Sequence, residues 1–478
     1  MKKIILSIIS ILMFINSYST HLMGGQITVS YLNGYDYIVE LNAYRDTVGI
    51  SMASSANFSI YKQEIDTSGN LFWAFQFSHT VNQNSGTGGL MANMSAYGVE
   101  VYSFSDTISL PGNGYYSVQW ENCCRNGAII NMTDPLGESL FLSTNITVDS
   151  LNVNNYSSSP TFLSPPVAYL PADTLWQYNP LPFDPDGDSL VWSLTTPLSS
   201  FGNNVNGYNF LSDSLYSNPS APFALDSITG EVTWNPSMLG NFVASFLIEE
   251  FRNGVKIGEM RRDMQYIVVP PNINNAPMFP NSLPVNNMGY PFFQVYANQN
   301  FSLSILASDS DPYDIVSLSA FGEPILLHGA TFSYSNTGNG NEIEGTFNWT
   351  PDNNMIRNND YIMAFRASDG MFYFDETVLF NVSAPTSINN NSKNNDFEIY
   401  PNPLKDQLFI SIDLNKTSKI KFAIFDLLGN KVFESKDIIS ESLQQIIYSK
   451  LNLSNGYYFV TLYKDNNPIG SKKIIVNK

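Results

Sequence analysis

Asp184-Pro-Asp-Gly-Asp188 places three carboxylates at alternate positions around a glycine that permits a tight turn. Hard oxygens converging in this way suit Ca2+, and softer metals have less use for them. Asp309, Asp311 and Asp314 offer a looser version. Both runs are also good β-turn chemistry without any metal, so a cation site and a plain acidic turn are both open readings. The two cysteines are adjacent, Cys123 and Cys124. Neighbouring Cα atoms sit about 3.8 Å apart, closer than the usual ~4.4–6.8 Å of a disulfide. Three readings stay open for them: a vicinal disulfide closing a strained ring, two separate thiols, or a reactive or metal site. With only two cysteines in 478 residues, hydrophobic cores must carry the stability.

Catalytic chemistry is thinly provided. The three histidines, His21, His79 and His328, have no metal-ligand spacing among them. The chain contains no Gly-x-Ser-x-Gly elbow, phosphate-cradling Gly-Lys loop or His-Glu-x-x-His helix. Abundant Asp and Glu do not by themselves make a glycosidase pair. The expectation is therefore a chain that is not an enzyme.

The elements that must position these residues are strands. Short runs rich in Val, Ile, Thr, Tyr and Phe are separated by Gly, Asn, Pro and Ser clusters, as in Tyr35 to Tyr44 between Asn33-Gly34 and Asp46. That pattern predicts an all-β chain of several Ig-like β-sandwich modules in tandem, plus a small C-terminal β-sandwich. Two segments repeat one unit. Asp184 to Leu194 precedes Gly230-Glu-Val-Thr-Trp234-Asn-Pro236, and Ala307 to Leu318 precedes Gly345-Thr-Phe-Asn-Trp349-Thr-Pro351. Trp234 and Trp349 are 115 residues apart, one sandwich-domain period. Their repeat position points to core packing rather than a ligand platform. The expected division is a signal peptide at 1–20, an N-terminal β module with the Cys-Cys motif at 21–158, sandwich modules at 159–270 and 275–384, a linker at 385–396, and a C-terminal domain at 397–478.

Phe397-Glu-Ile-Tyr400-Pro401-Asn402-Pro403, Ile424 to Asn430, and Gly456-Tyr457-Tyr-Phe-Val-Thr-Leu462 resemble, in order, the type A C-terminal sorting domain of the type IX secretion system of Bacteroidota. The resemblance implies handling by that machinery, removal of the domain on arrival, and a secreted or cell-surface destination. Tyr400, Pro401, Asn402, Pro403, Gly456 and Tyr457 mark the sorting motif. The repeated unit resembles cadherin-like and Ig-like repeats of bacterial surface proteins. In cadherins, cation sites are completed from the interdomain linker and the neighbouring domain. The corresponding residues here are Asn272, Asn274 and Asn275 in the linker and Glu249, Glu250 and Asn253 in the closing turn. Amides in place of carboxylates imply weak Ca2+ affinity, in the ~10⁻⁴ to 10⁻³ M class. His21-Leu-Met-Gly24-Gly25, Tyr44-Arg45-Asp46 and Cys123-Cys124-Arg125-Asn126 resemble the N-terminal module of large exported proteins of gliding bacteria, where Tyr-Arg-Asp is commonly followed by Cys. Thr47 stands there instead. Several Asp-Ser/Thr-aliphatic triplets, such as Asp106-Thr107-Ile108, resemble a periplasmic O-glycosylation motif.

The first residues agree with export: Met1-Lys2-Lys3 is a basic start, and the apolar run to Ile15 is too short to span a bilayer. No later stretch reads as transmembrane. Residues 21–396 hold 34 acidic against 10 basic residues, a net of −24, whereas 397–478 hold 8 against 11. A body so acidic repels nucleic acid and anionic lipid headgroups. The expected function is a non-catalytic secreted or cell-surface protein of adhesion or extracellular matrix, with Ca2+ as cofactor and surface glycans or other surface proteins as partners. The alternative is a secreted carbohydrate-binding or hydrolytic protein.

Overall fold

The computed structural model describes residues 21–91, 98–149, 156–271, 274–339, 341–385, 397–405, 407–412, 417–440, 444–449 and 451–477. The expected signal peptide at 1–20, Asn272, and nearly all of the expected linker lie outside these residues. The chain is all-β, as its patterning predicts, and four main hydrophobic cores follow one another along it. No helix among the described residues is long and apolar enough to cross a membrane.

The first core is built from the inward residues of strands such as Asp36–Asp46, whose Tyr37, Val39, Leu41 and Ala43 are buried while alternate residues are less so. The second gathers Trp176, Trp234, Phe242 and Tyr266. The expected boundary at 158/159 separates these two cores but does not separate two sheets. A hairpin of strands Gly240–Arg252 and Val255–Val269 turns at Asn253 and Gly254, both at positive φ, which suits a two-residue hairpin loop. Its second strand then pairs outward with the first module, Gly25 opposite Asp263 and Ile146 opposite Gly258, inside one twelve-stranded sheet. The middle of that strand is buried on both faces: Met264 and Tyr266 enter the second core, and Asp263 and Gln265 are buried opposite them.

The third core lies between a four-stranded sheet that includes Tyr361–Ser368 and Tyr373–Ser383 and a three-stranded sheet centred on Glu342–Trp349, with Trp349 fully inside. It abuts the second module directly. Trp176 Nε1 donates to the Tyr373 carbonyl at 3.0 Å, and the Asn179 amide donates to Asp375 at 2.9 Å. Arg366 is ion-paired with the same Asp375 and donates to Ser164 Oγ. The C-terminal domain has its own core of Leu408, Phe422, Val460 and Ile474 between two sheets. Its Gly429 adopts φ 83°, and the Asp426 carboxylate holds the turn by accepting from the amides of Leu428 and Asn430.

Candidate functional site

The three N-terminal motifs converge on one joint. Cys123 and Cys124 are bonded to each other. The Cys124 carbonyl accepts from the Leu22 amide, and the Leu22 carbonyl accepts from the Asn126 amide, so His-x-x-Gly-Gly and Cys-Cys-Arg-Asn are stitched together. Asn126 also reaches Asp46 of the Tyr-Arg-Asp motif at 3.4 Å. Arg125 goes further. Its guanidinium donates to Asp263 at 2.6 Å and to the carbonyls of Ser139 and Leu198 at 3.0 Å, and both members of the ion pair are buried to 1% exposure. Gly24 is required at the same place: a Cβ there would stand 2.4 Å from the Asp263 carbonyl oxygen. These motifs therefore meet where the first module joins the second, with Arg125 and Gly24 making the contact to the second module and Arg45 turning back to Glu100 and the Gly49 carbonyl of the first.

Asp184, Asp186 and Asp188 do come together, each offering an oxygen within 4.8 Å of the others. Asp184 Oδ1 accepts from the amides of Asp186 and Asp188, the local hydrogen bonding expected of an acidic turn. Its Oδ2 is buried without a hydrogen-bond partner, and so is Oε2 of Glu250, whose other oxygen accepts from Ser157. Burial pushes Asp184 up to about 7 and Glu250 up to about 9, and mutual repulsion among these carboxylates adds to both. The cluster already has a cation of its own. Arg252 grips Asp188 with Nε and Nη2 and lies 3.5 Å from Asp186. Glu249 points elsewhere, to Lys256.

The second cluster differs from its expected membership. Asp309 and Asp314 are joined by Asp369, not by Asp311, with ligand oxygens again within 4.8 Å. Asp311 is drawn away because its carboxylate accepts from both the amide and the side chain of Asn275 in the linker. Asn274 of the same linker donates to Asp369 Oδ2 at 2.7 Å, while Asp369 Oδ1 accepts from the amides of Met371 and Phe372. Asp309 Oδ2 and Asp314 Oδ2 are buried with no hydrogen-bond partner, and Asp309 is only 4% exposed. Among the described residues no Lys, Arg or His is ion-paired with these three carboxylates. Burial raises Asp309 and Asp369, and their neighbouring carboxylates raise them further. Hard oxygens with unsatisfied buried lone pairs and no internal counter-charge fit a divalent cation better than the first cluster does. In the sequence Asp369 stands in Ser368-Asp369-Gly370, an ordinary turn triplet with no local sign of Asp309 or Asp314.

In the C-terminal domain Asn402 holds the last strand, its Oδ1 accepting from the Ile475 amide and its Nδ2 donating to the Lys473 carbonyl. Pro401 and Pro403 flank it, and Tyr400 stacks on Phe409 at 5.6 Å. Gly456 and Tyr457 open the strand opposite Val476 and Ile475, leaving Tyr457 half exposed beneath Lys473.

Residues 398–477 match the secretion system C-terminal sorting domain. Comparison with curated proteins finds no match. Among solved structures the chain is similar to an endo-fucoidan hydrolase from glycoside hydrolase family 107, at 13% identity, 68% of this chain, 44% of that one and a TM-score of 0.18. It is similar to a chimeric titin Z1Z2 at 11% identity, 48% and 100% coverage and a TM-score of 0.16. It is also similar to an Escherichia coli alpha-2-macroglobulin at 11% identity, 95% and 44% coverage and a TM-score of 0.15. The chain spans less than half the length of the fucoidan hydrolase, and at these scores the likenesses carry no argument about function. The sorting domain does: the chain is cargo of the type IX secretion system, delivered outside the cell or onto its surface.

Proposed function

We propose that this secreted cargo is a non-catalytic adhesion or matrix protein whose modules are held as a stiff unit, with Ca2+ bound where the third module meets its linker. The observation that carries the reading is where the polar chemistry sits. Arg125 and Asp263 join the first two modules, Asp375 joins the second and third, and Asp309, Asp314, Asp369 and Asn274 stand at the linker. Stiff joints transmit force and hold a terminal surface away from the cell, which adhesion needs and hydrolysis does not. At the linker, Asp309, Asp314 and Asp369 would hold the cation. When bound, it supplies the positive charge that lets three adjacent carboxylates ionise together.

The test compares cells with and without the protein for aggregation and attachment to surfaces. Loss of attachment on deletion is expected, with restoration by the full chain. Unchanged attachment, or a polysaccharide- or peptide-cleaving activity of the purified protein that is lost on changing a clustered carboxylate, overturns the reading.

A further inference from the structure

We infer that the outer face of the first module binds a neutral polysaccharide chain through a strip of aromatic rings, two exposed and the others half-buried. Strand Leu71–Asn82 ends the twelve-stranded sheet, and its register against Ser55–Ile65 shifts between Ile60 and Tyr61, so that Phe77 pairs with Ile60 but Phe75 pairs with Tyr61. The extra residue, Gln76, reverses which side chains face out. Phe77 still packs on the core, whereas Phe75 is 57% exposed. Rings then follow one another across the sheet. Trp73 lies 5.7 Å from Tyr115, Phe75 lies 5.5 Å from Tyr61, and Tyr61 lies 6.3 Å from Phe201, with ring planes only 8° apart. Phe201 comes from the second module, is 50% exposed, and rests on Phe141 at 6.2 Å.

A cleft of about 560 Å³ opens beside Tyr61 and Phe201, and its remaining lining includes Asn57, Ser59 and Glu121. That volume falls within the range of small-ligand sites. A sugar ring presents an apolar C–H face and a rim of hydroxyls. Flat rings flanked by an amide, a hydroxyl and a carboxylate match both, since the ring faces take the C–H surface and the polar groups take the hydroxyls. The elongated strip suits a chain rather than one sugar. Charge selects the polymer class: the cleft is lined by Glu121 and by no Lys or Arg, and residues 21–396 carry a net of −24. Sulfated and uronate polymers, nucleic acids and anionic membranes are therefore repelled. The inference names what the adhesion reading would grip and rests on that reading only for its biological use.

The test is affinity electrophoresis of the full secreted chain in gels containing laminarin, xylan or hydroxyethylcellulose as neutral probes and alginate as an acidic one. Retardation by at least one neutral polymer and none by alginate is expected. Phe75→Ala and Phe201→Ala, both exposed, should each weaken binding by about tenfold with an unchanged melting temperature. No neutral retardation, retardation that survives both substitutions, or preference for alginate overturns the inference. So does a self-associated chain that becomes monomeric in F75A, since the strip would then be covered by a second copy. Glycan binding with unaltered cell attachment would overturn the adhesion reading alone, and the reverse outcome would overturn the glycan site alone.

Discussion

Arg252 and Asp369 occupy the same position of the repeated unit. Ser189 opens the strand after the first acidic turn and pairs with Phe251, one residue before Arg252. Ser317 opens the strand after the second and pairs with Ser368, one residue before Asp369. One repeat therefore places a guanidinium against its acidic turn, and the other adds a further carboxylate. The first turn thus carries a counter-charge of its own, whereas among the described residues no cationic side chain is ion-paired with the second.

Calcium should accordingly act through one cluster. At about 10 mM Ca2+, roughly 10- to 100-fold above a ~10⁻⁴ to 10⁻³ M dissociation constant, binding to the native state adds about 1.4–2.7 kcal/mol. Thermal melts with Ca2+ and with chelator should differ accordingly. Asp369→Asn should remove most of that difference, and Asp186→Asn should leave it nearly intact. Identical melts with Ca2+ and chelator would retire the cation site.

Arg125 and Asp263 are buried together, so removing one partner strands the other. Arg125→Met should cost about 3–5 kcal/mol, read as a lower urea midpoint. The double variant R125M/D263L should recover much of the loss, because neither charge then remains buried. A single variant that costs under about 1 kcal/mol would mean that the pair does not hold the joint.

Gly24→Ala tests the same joint through sterics. Its Cβ would meet the Asp263 carbonyl at 2.4 Å and the Pro166 carbonyl at 3.1 Å, and backbone cannot move aside as a flexible side chain can. A loss of about 1–3 kcal/mol is expected. Gly34→Ala serves as the contrast: a Cβ there has open space, and only its φ of +53° is strained.

Local patterns carried much of this into the sequence. Trp234 and Trp349 mark equivalent core positions, and Asp184 and Asp309 each begin an acidic turn by accepting the amide two residues on. The address was legible too, since the sorting domain occupies one uninterrupted stretch at residues 398–477, with its landmarks in order along it. What stayed hidden depends on partners distant in the chain. Asp263 lies 138 residues from Arg125, and nothing in Val255–Val269 announces that its strand serves two modules. Asp369 looked like any turn aspartate until the fold brought it to Asp309. The aromatic strip was hidden by one bulge, which puts Phe75 on the opposite face from Phe77 although the two are only two residues apart.

The joint between the second and third modules should respond to pH. Glu231 and Glu376 line one cavity there, and burial pushes each up to about 7, with repulsion from Glu231 adding to the shift of Glu376. Asp226 and Asp375 lie near Glu231 and raise it further. Thr377 and Gln177 hydrogen-bond it in opposition, and Arg366 is already committed to Asp375. An unfolded glutamate titrates near ~4.3, so between that value and about 7 the folded chain keeps protons that the unfolded chain has lost. Stability is then fully present below the unfolded value and is lost as pH rises through the folded one. Melting at pH 8 should therefore fall below melting at pH 5.5, and Glu231→Gln with Glu376→Gln should flatten that slope. Asp184 and Glu250 shift in the same direction, so a smaller slope remains in the variant. A slope of the opposite sign between pH 5.5 and 8, or one that the double substitution leaves unchanged, would show that these two glutamates are ionised and solvated at the joint.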